Sequence, residues 1–208
     1  YIGCLSSMMN TYRKRMGLDI QNPFSQLGFS ERIDRSRKHR RPVPDEWLRN
    51  VLLAPGALDA LGSECRAILR VLINTGCRPS EVCGLLPHHI RLQDNVPHIQ
   101  IREEGRELKN SQTARDMPLV GCALEAMREH PEGFPTYREK PGNATANINK
   151  YLRGRKLMPE NPDKPGKRMT IYSIRHSFQD RLTGLELPER ISRDLMGHRL
   201  NGERYGDG

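Results

Sequence analysis

Apolar residues first recur at helical spacing near the start of the chain, where Leu5, Met8, Met9, Tyr12 and Met16 share one face and Gly17 stops the run. "NPF" follows at Asn22–Phe24, and the segment is expected to be the last helix of a domain whose other elements lie upstream. "PDEWLRNVLL" opens the next helix, with Asp45 and Glu46 in the dipole-favoured first turn. Cys65, Ile68, Leu69, Leu72 and Ile73 then form an i, i+3, i+4, i+7, i+8 stripe that ends at Gly76. A short helix is predicted from Pro79 to Leu86. From Ile90 to Val120 the period changes: "HIQIREE" alternates, and "GRELKN" and "ARDMPLV" follow with polar turns between them. These read as a small antiparallel sheet. Helical spacing resumes at "CALEAMREH", "NATANINKYLRGRKL", "SIRHSFQDRLTG" and "LPERISRDLMG", the last two closing on glycine. Helices, a small sheet and more helices predict an α+β class, mainly helical, with no internal repeat.

Composition sharpens this division. The 208 residues are 36% hydrophobic but only 5% aromatic, so the core must be mostly aliphatic. The net charge of +9 points to a polyanionic partner, nucleic acid before anionic membrane. Between Arg32 and Arg41, "RIDRSRKHRR" carries six Arg or Lys and then meets "PVP", which no helix interior tolerates. The division is therefore a domain remnant over 1–30, a basic linker over 31–44 and a main domain over 45–208. Arg35, Arg37, Lys38, Arg40 and Arg41 are its candidate phosphate contacts, although flexible tails share this composition. Five cysteines without CxxC spacing argue against a disulfide framework or a zinc site and for a reduced, intracellular protein. No segment approaches the ~20 apolar residues of a membrane span. A chain opening on Tyr1 reads as a fragment of something longer.

Four short stretches could carry chemistry. In "NTGCRPSEVCGL", Arg78 stands at the corner between two helices with Glu81 three residues on. A guanidinium fixed there can grip two phosphate oxygens, which lysine cannot. The simpler reading is a surface ion pair at helical spacing, worth a few tenths of a kcal/mol. In "IYSIRHSF", Arg175 and His176 share a helix with Ile171, Ile174 and Phe178, and His176 alone fits a partly buried core histidine. "LMGHRLNGERYGDG" ends a helix at Gly197–His198 and holds Tyr205 in a polar tail that offers a ring little core. Lys109 lies in or beside a hairpin turn, where a lone lysine is ordinarily a solvated edge charge.

Taken in order, these resolve one another. Arg-x-x-Glu after Thr-Gly, a hairpin lysine before Pro-Leu, Arg-His, Gly-His and a late tyrosine together resemble the catalytic domain of the tyrosine recombinases, of the phage and mobile-element integrase kind. The likeness spans Pro42 to Gly208. It implies that Tyr205 is the nucleophile, Arg78 and Arg175 the phosphate-clamping arginines and His198 the histidine of the Gly-His motif. It likewise implies that Lys109 protonates the leaving oxygen, Glu81 supports the first arginine and His176 is a supporting residue. The implied reaction forms a 3′-phosphotyrosyl link and frees a 5′-hydroxyl. The link retains the phosphodiester energy, so resealing needs no ATP, and no acidic cluster suited to Mg²⁺ accompanies these groups. No cofactor or metal is expected.

Two departures bear on activity. The family's usual histidine three residues before the second arginine is Tyr172 here, and a phenol can donate to a phosphate oxygen but is no base near neutrality. The interval from His198 to Tyr205 is also short for the family. Beside a site-specific recombinase there stand a type IB topoisomerase-like enzyme and a catalytically impaired DNA-binding relative. Double-stranded DNA is the expected partner, with a monomer in free solution and a tetramer on DNA. No membrane is involved, and the expected location is the cytoplasm of a bacterial host, at the nucleoid.

Overall fold

The computed structural model describes residues 2–25, 41–104 and 114–198, which fall in two compact units, Tyr1–His39 and Arg40–Gly208. In the first, helix α1 runs from Ile2 to Met16. Asn22 folds back on it, its Nδ2 donating to Ser6 O at 3.0 Å and Asn10 Oδ1 at 2.8 Å. Leu5, Met8, Tyr12 and Met16 leave that helix with an exposed apolar face.

The second unit is built around α3 (Ser63–Thr75), the helix of the long apolar stripe, whose Ile68, Leu69, Val71, Leu72 and Ile73 are buried. Before it, α2 (Asp45–Trp47) continues as a π-helical turn over Leu48–Leu52 that buries Leu48 and Leu52. After it come α4 (Pro79–Cys83), α5 (Gly121–Glu129), α6 (Pro141–Gly154), α7 (Ile171–Gly184) and α8 (Glu189–Met196). Helix α3 packs against α4, α5, α6 and α7, and α8 leans on α7 and the sheet. The aliphatic core that the composition requires is therefore one cluster around a central helix.

The sheet is a three-stranded antiparallel meander: β1 (Ile90–Arg91), β2 (His98–Ile101) and β3 (Arg115–Pro118). Ile99 pairs with Ile90 on one side and Met117 on the other, so one face turns to the core with Ile99, Ile101 and Met117 buried. "GRELKN" lies outside the described residues. The helix expected from Pro79 to Leu86 stops at Cys83 because Gly84 takes the C-cap and Pro87 opens a 3₁₀ turn, Pro87–His89. The α6 helix starts earlier than its apolar pattern, on Pro141, a residue already shaped for a first helical turn.

Two local contacts set the frame of the site. The Ser177 hydroxyl on α7 donates to Val43 O and accepts from Val43 N, both at 2.8 Å, so the end of the expected linker is pinned to the core. At the end of α3, Gly76 adopts φ +59°, and a Cβ there would overlap the Phe178 ring of α7. Only glycine lets the two helices approach this closely. Among the described residues no helix is long and apolar enough to cross a membrane. Gly76→Ala is expected to destabilise the fold by about 2–4 kcal/mol, from the left-handed backbone and forced overpacking. Denaturant unfolding checks this, and an unchanged midpoint would contradict it.

Candidate active site

Arg78 sits at the N-cap of α4, in the turn that leaves α3 through Gly76 and Cys77. Its backbone N–H donates to Glu81 Oε2 at 2.7 Å and its Nη1 donates to Glu81 Oε1 at 2.6 Å. This is not the surface pair that i, i+3 spacing allows. The Glu81 side chain is 3% exposed, and a second guanidinium, Arg115 from β3, reaches it with Nη2 at 2.9 Å and Nη1 at 3.3 Å. Burial pushes the Glu81 carboxyl up. The Arg115 hydrogen bonds and charge, with those of Arg78, more than offset that and hold it at about 2.

Arg175 approaches the same corner from α7. Its Nη1 donates to the carbonyl of Gly76 and its Nη2 to the carbonyl of Met196. Nη2 also lies 3.4 Å from His198 Nε2. An arginine has only donors to offer, so Nε2 of His198 is the acceptor and its proton resides on Nδ1. Burial and then the Arg175 and Arg78 charges push the His198 pKa below its usual value, which agrees with a neutral ring. Burial and the nearby Arg78 charge likewise pull Arg175 down to about 10, so it stays cationic at neutrality. Two arginines separated by most of the domain's sequence thus share one electrostatic environment, with the imidazole beside them.

Donor accounting shows what this arrangement can hold. Each guanidinium carries five N–H donors. Among the described residues Arg78 spends one of them, on Glu81, and its side chain is 26% exposed. Arg175 spends donors on two carbonyls and a ring nitrogen, and among the described residues no carboxylate pairs with it directly. The cluster of Arg78, Arg115 and Arg175 against Glu81 leaves two positive charges in excess, with donors still to satisfy. That is the chemistry of an anion pocket, suited to the oxygens of a phosphate.

The other expected site residues fall as follows. Tyr172 lies one turn before Arg175 on α7 and is 42% exposed. His176 is half-buried on the same helix, as its apolar neighbours suggest. Arg41 is ion-paired to Asp163, Nε to Oδ2 at 3.2 Å, on an exposed surface. Lys109, Tyr205, Arg35, Arg37, Lys38 and Arg40 lie outside the described residues. Arg115 escaped the sequence reading. Its signal was present, because period-two alternation puts Arg115 in phase with Met117 and Leu119, which face the core. A cation at an inward position demands a buried acid, and Glu81 is that acid.

One group among the described residues has the spacing of a cation site: His88, His89 and Glu104, at the sheet's edge. Glu104 Oε2 lies 2.9 Å from His88 Nε2 and 3.3 Å from His89 Nε2. The Leu86 N–H donates to His89 Nδ1 at 3.2 Å, so a neutral His89 carries its proton on Nε2. That tautomer donates to Glu104 and has no lone pair there for a metal. The cluster ties the 3₁₀ turn to the end of β2.

The model of the phage integrase family matches residues 51–202, which hold Arg78, Glu81, Arg115, Arg175 and His198. The chain belongs to the phage integrase family. Among solved structures of that fold, the integrase of transposon Tn1549, in complex with circular-intermediate DNA, is 18% identical. The likeness covers 93% of this chain and 70% of that one, with a TM-score of 0.57. The XerA recombinase is 15% identical over 91% and 63% of the two chains, TM-score 0.56. An integrase from mycobacterium phage Brujita is 17% identical over 95% and 62%, TM-score 0.57. No curated protein sequence matches. At these identities the structural likeness speaks for the fold: a phage-integrase domain, mainly helical with a three-stranded antiparallel sheet.

Two measurements test the site's electrostatics. Glu81 has a folded-state pKa below its ordinary 4.5, so its contribution to stability is complete above that value and lost as the pH falls toward 2. The lowering from 4.5 to about 2 corresponds to about 3 kcal/mol, and Glu81→Gln is expected to remove this acid-dependent loss from unfolding curves. Curves for Glu81→Gln that keep the full acid limb would refute the pairing. His198, followed by NMR of its ring, is expected to titrate below the ordinary histidine value and to move up in Arg175→Ala. A ring that titrates normally and ignores that substitution would refute the contact.

Proposed function

We propose that this phage-integrase domain cuts and rejoins DNA strands at a specific site, through a covalent 3′-phosphotyrosyl intermediate at Tyr205 and without metal or ATP. The supporting observation is the meeting of Arg78 and Arg175, carried by different helices, beside His198 and around the buried Glu81. A target phosphate would place its non-bridging oxygens on the unspent donors of Arg78 and Arg175 and on the Nδ1–H of His198. These groups are already in place before any substrate arrives, which is how an electrostatic site lowers a barrier.

In this reading the Tyr205 oxygen attacks phosphorus in line as its proton leaves to solvent. The bond from phosphorus to the 5′ oxygen breaks, and Lys109 gives that oxygen a proton. Resealing runs the same steps backward, with the energy of the broken bond kept in the phosphotyrosyl link. Tyr172 can donate to a phosphate oxygen, so it assists by holding rather than by taking a proton. Arg35, Arg37, Lys38, Arg40 and Arg41 would lie along flanking phosphates and give binding a steep dependence on salt. The protein is expected to be monomeric in free solution and tetrameric on DNA. It would act at the nucleoid of a bacterial host.

Incubation with a suicide substrate from the ends of its own element is expected to trap a covalent adduct, and Tyr205→Phe to abolish it. An adduct that survives the substitution would overturn the assignment of the nucleophile. Salt-sensitive DNA binding with no adduct from the wild type would instead mark an impaired relative. Relaxation of random-sequence plasmid by the monomer would mark a topoisomerase-like enzyme.

A further inference from the structure

Arg115 is an enclosed cation of this corner. Its side chain is 7% exposed. Nη1 and Nη2 fork onto the two Glu81 oxygens, Nη2 also lies 3.5 Å from Cys77 Sγ, and Nε donates to the Leu195 carbonyl of α8 at 2.9 Å. Gly197, which ends α8 with φ +59°, packs bare against this guanidinium, and a Cβ there would lie 2.7 Å from Nη1. Arg115 therefore joins three segments: β3, the first turn of α4 and the C-terminal end of α8. His198 follows directly from that last point, its N–H donating to Arg193 O at 3.0 Å.

We propose that Arg115 is a positioning residue for the phosphate site, locking Glu81, and through it Arg78, into register with the end of α8 that presents His198. The proposal rests on the strand-transfer reading for its effect on chemistry, but the lock itself is a property of the folded chain. Among the described residues its donors go to Glu81, Cys77 and the Leu195 carbonyl, so Arg115 acts through these partners. Lysine cannot replace it, because one ammonium cannot fork onto a carboxylate and also reach a carbonyl on the far side. The end of α8 would be set loose by its loss, because Arg115 and Arg175 claim the successive carbonyls of Leu195 and Met196.

A pH dependence separates positioning from simple stabilisation. Among the described residues, the charged and titratable groups facing Glu81 are Arg78 on its own helix, the Cys77 thiol in the preceding turn, Arg115 from β3 and Arg175 from α7. Without the Arg115 guanidinium, burial acts on the Glu81 carboxyl less opposed, and its pKa rises. A Glu81 that takes a proton as the pH falls stops orienting Arg78.

The test uses Arg115→Lys and Arg115→Gln in the full chain, with two readouts. Hydrogen exchange over residues 193–198 is expected to be about tenfold faster in both variants, with exchange in α3 and α5 unchanged. Adduct formation at saturating suicide DNA is expected to slow by about 100-fold, as for a misplaced catalytic group, with the half-saturating DNA concentration little changed. The loss should deepen as the pH falls, and Arg115→Lys should restore little of the rate. Unchanged exchange over 193–198 would overturn the proposal. So would faster exchange throughout the core together with a loss equal at every pH, which would make Arg115 a stabilising residue only. Should the wild type form no adduct, the strand-transfer reading fails alone. The exchange data and a carbon-13 titration of the Glu81 carboxyl, expected to shift upward in both variants, would then decide the positioning role.

Discussion

A single buried carboxylate organises this molecule's working corner. Glu81 is enclosed where an unpaired anion would be costly, and it is tolerated because two guanidinium groups and a backbone N–H surround it. Each partner brings a different part of the chain. Arg78 carries the turn out of α3, and Arg115 carries β3 and, through the Leu195 carbonyl, the end of α8. Removing the carboxylate would leave two cations facing one another with nothing between them. The geometry of the pocket is in this sense decided by an acid enclosed within the protein.

Arg175 is held by different means, and the difference matters for function. Glu81 partly neutralises Arg78 and Arg115, whereas Arg175 is gripped by the carbonyls of Gly76 and Met196. Carbonyls fix direction while leaving the charge intact. Burial and then the Arg78 charge lower its pKa to about 10, and the positive field that contributes is one that would attract a phosphodiester. Orientation has been secured in advance, so little rearrangement is required when an anion enters. Gly76 and Gly197, both left-handed, stand where these guanidinium groups meet the ends of α3 and α8.

Much of this was legible in the residues. The stripe from Cys65 to Ile73, the alternation around Ile99 and the order of Arg78, Arg175 and His198 state the helices, the sheet and the main participants. What they could not state is depth. Spacing alone makes Arg78 and Glu81 look like a surface pair, because i, i+3 geometry says nothing of what closes over it. Arg115 was hidden for a related reason. In a four-residue strand beside charged neighbours it reads as solvent-facing, and only its phase with Met117 and Leu119 marks it as inward. Cys77 and the carbonyls of Gly76, Leu195 and Met196 carry no side-chain signal for such contacts. His88, His89 and Glu104 show the converse, a spacing that suggests a metal until the Leu86 N–H fixes the tautomer.

Everything proposed for this corner requires that Arg78 and Arg175 serve one anion. A crystal structure of the chain bound to duplex DNA from its own target tests it most directly. The expected result is one phosphate whose non-bridging oxygens lie within about 3 Å of nitrogen atoms on both guanidinium groups, with the His198 ring beside it. Two arginines bound to separate phosphates, or a phosphate held by neither, would contradict it.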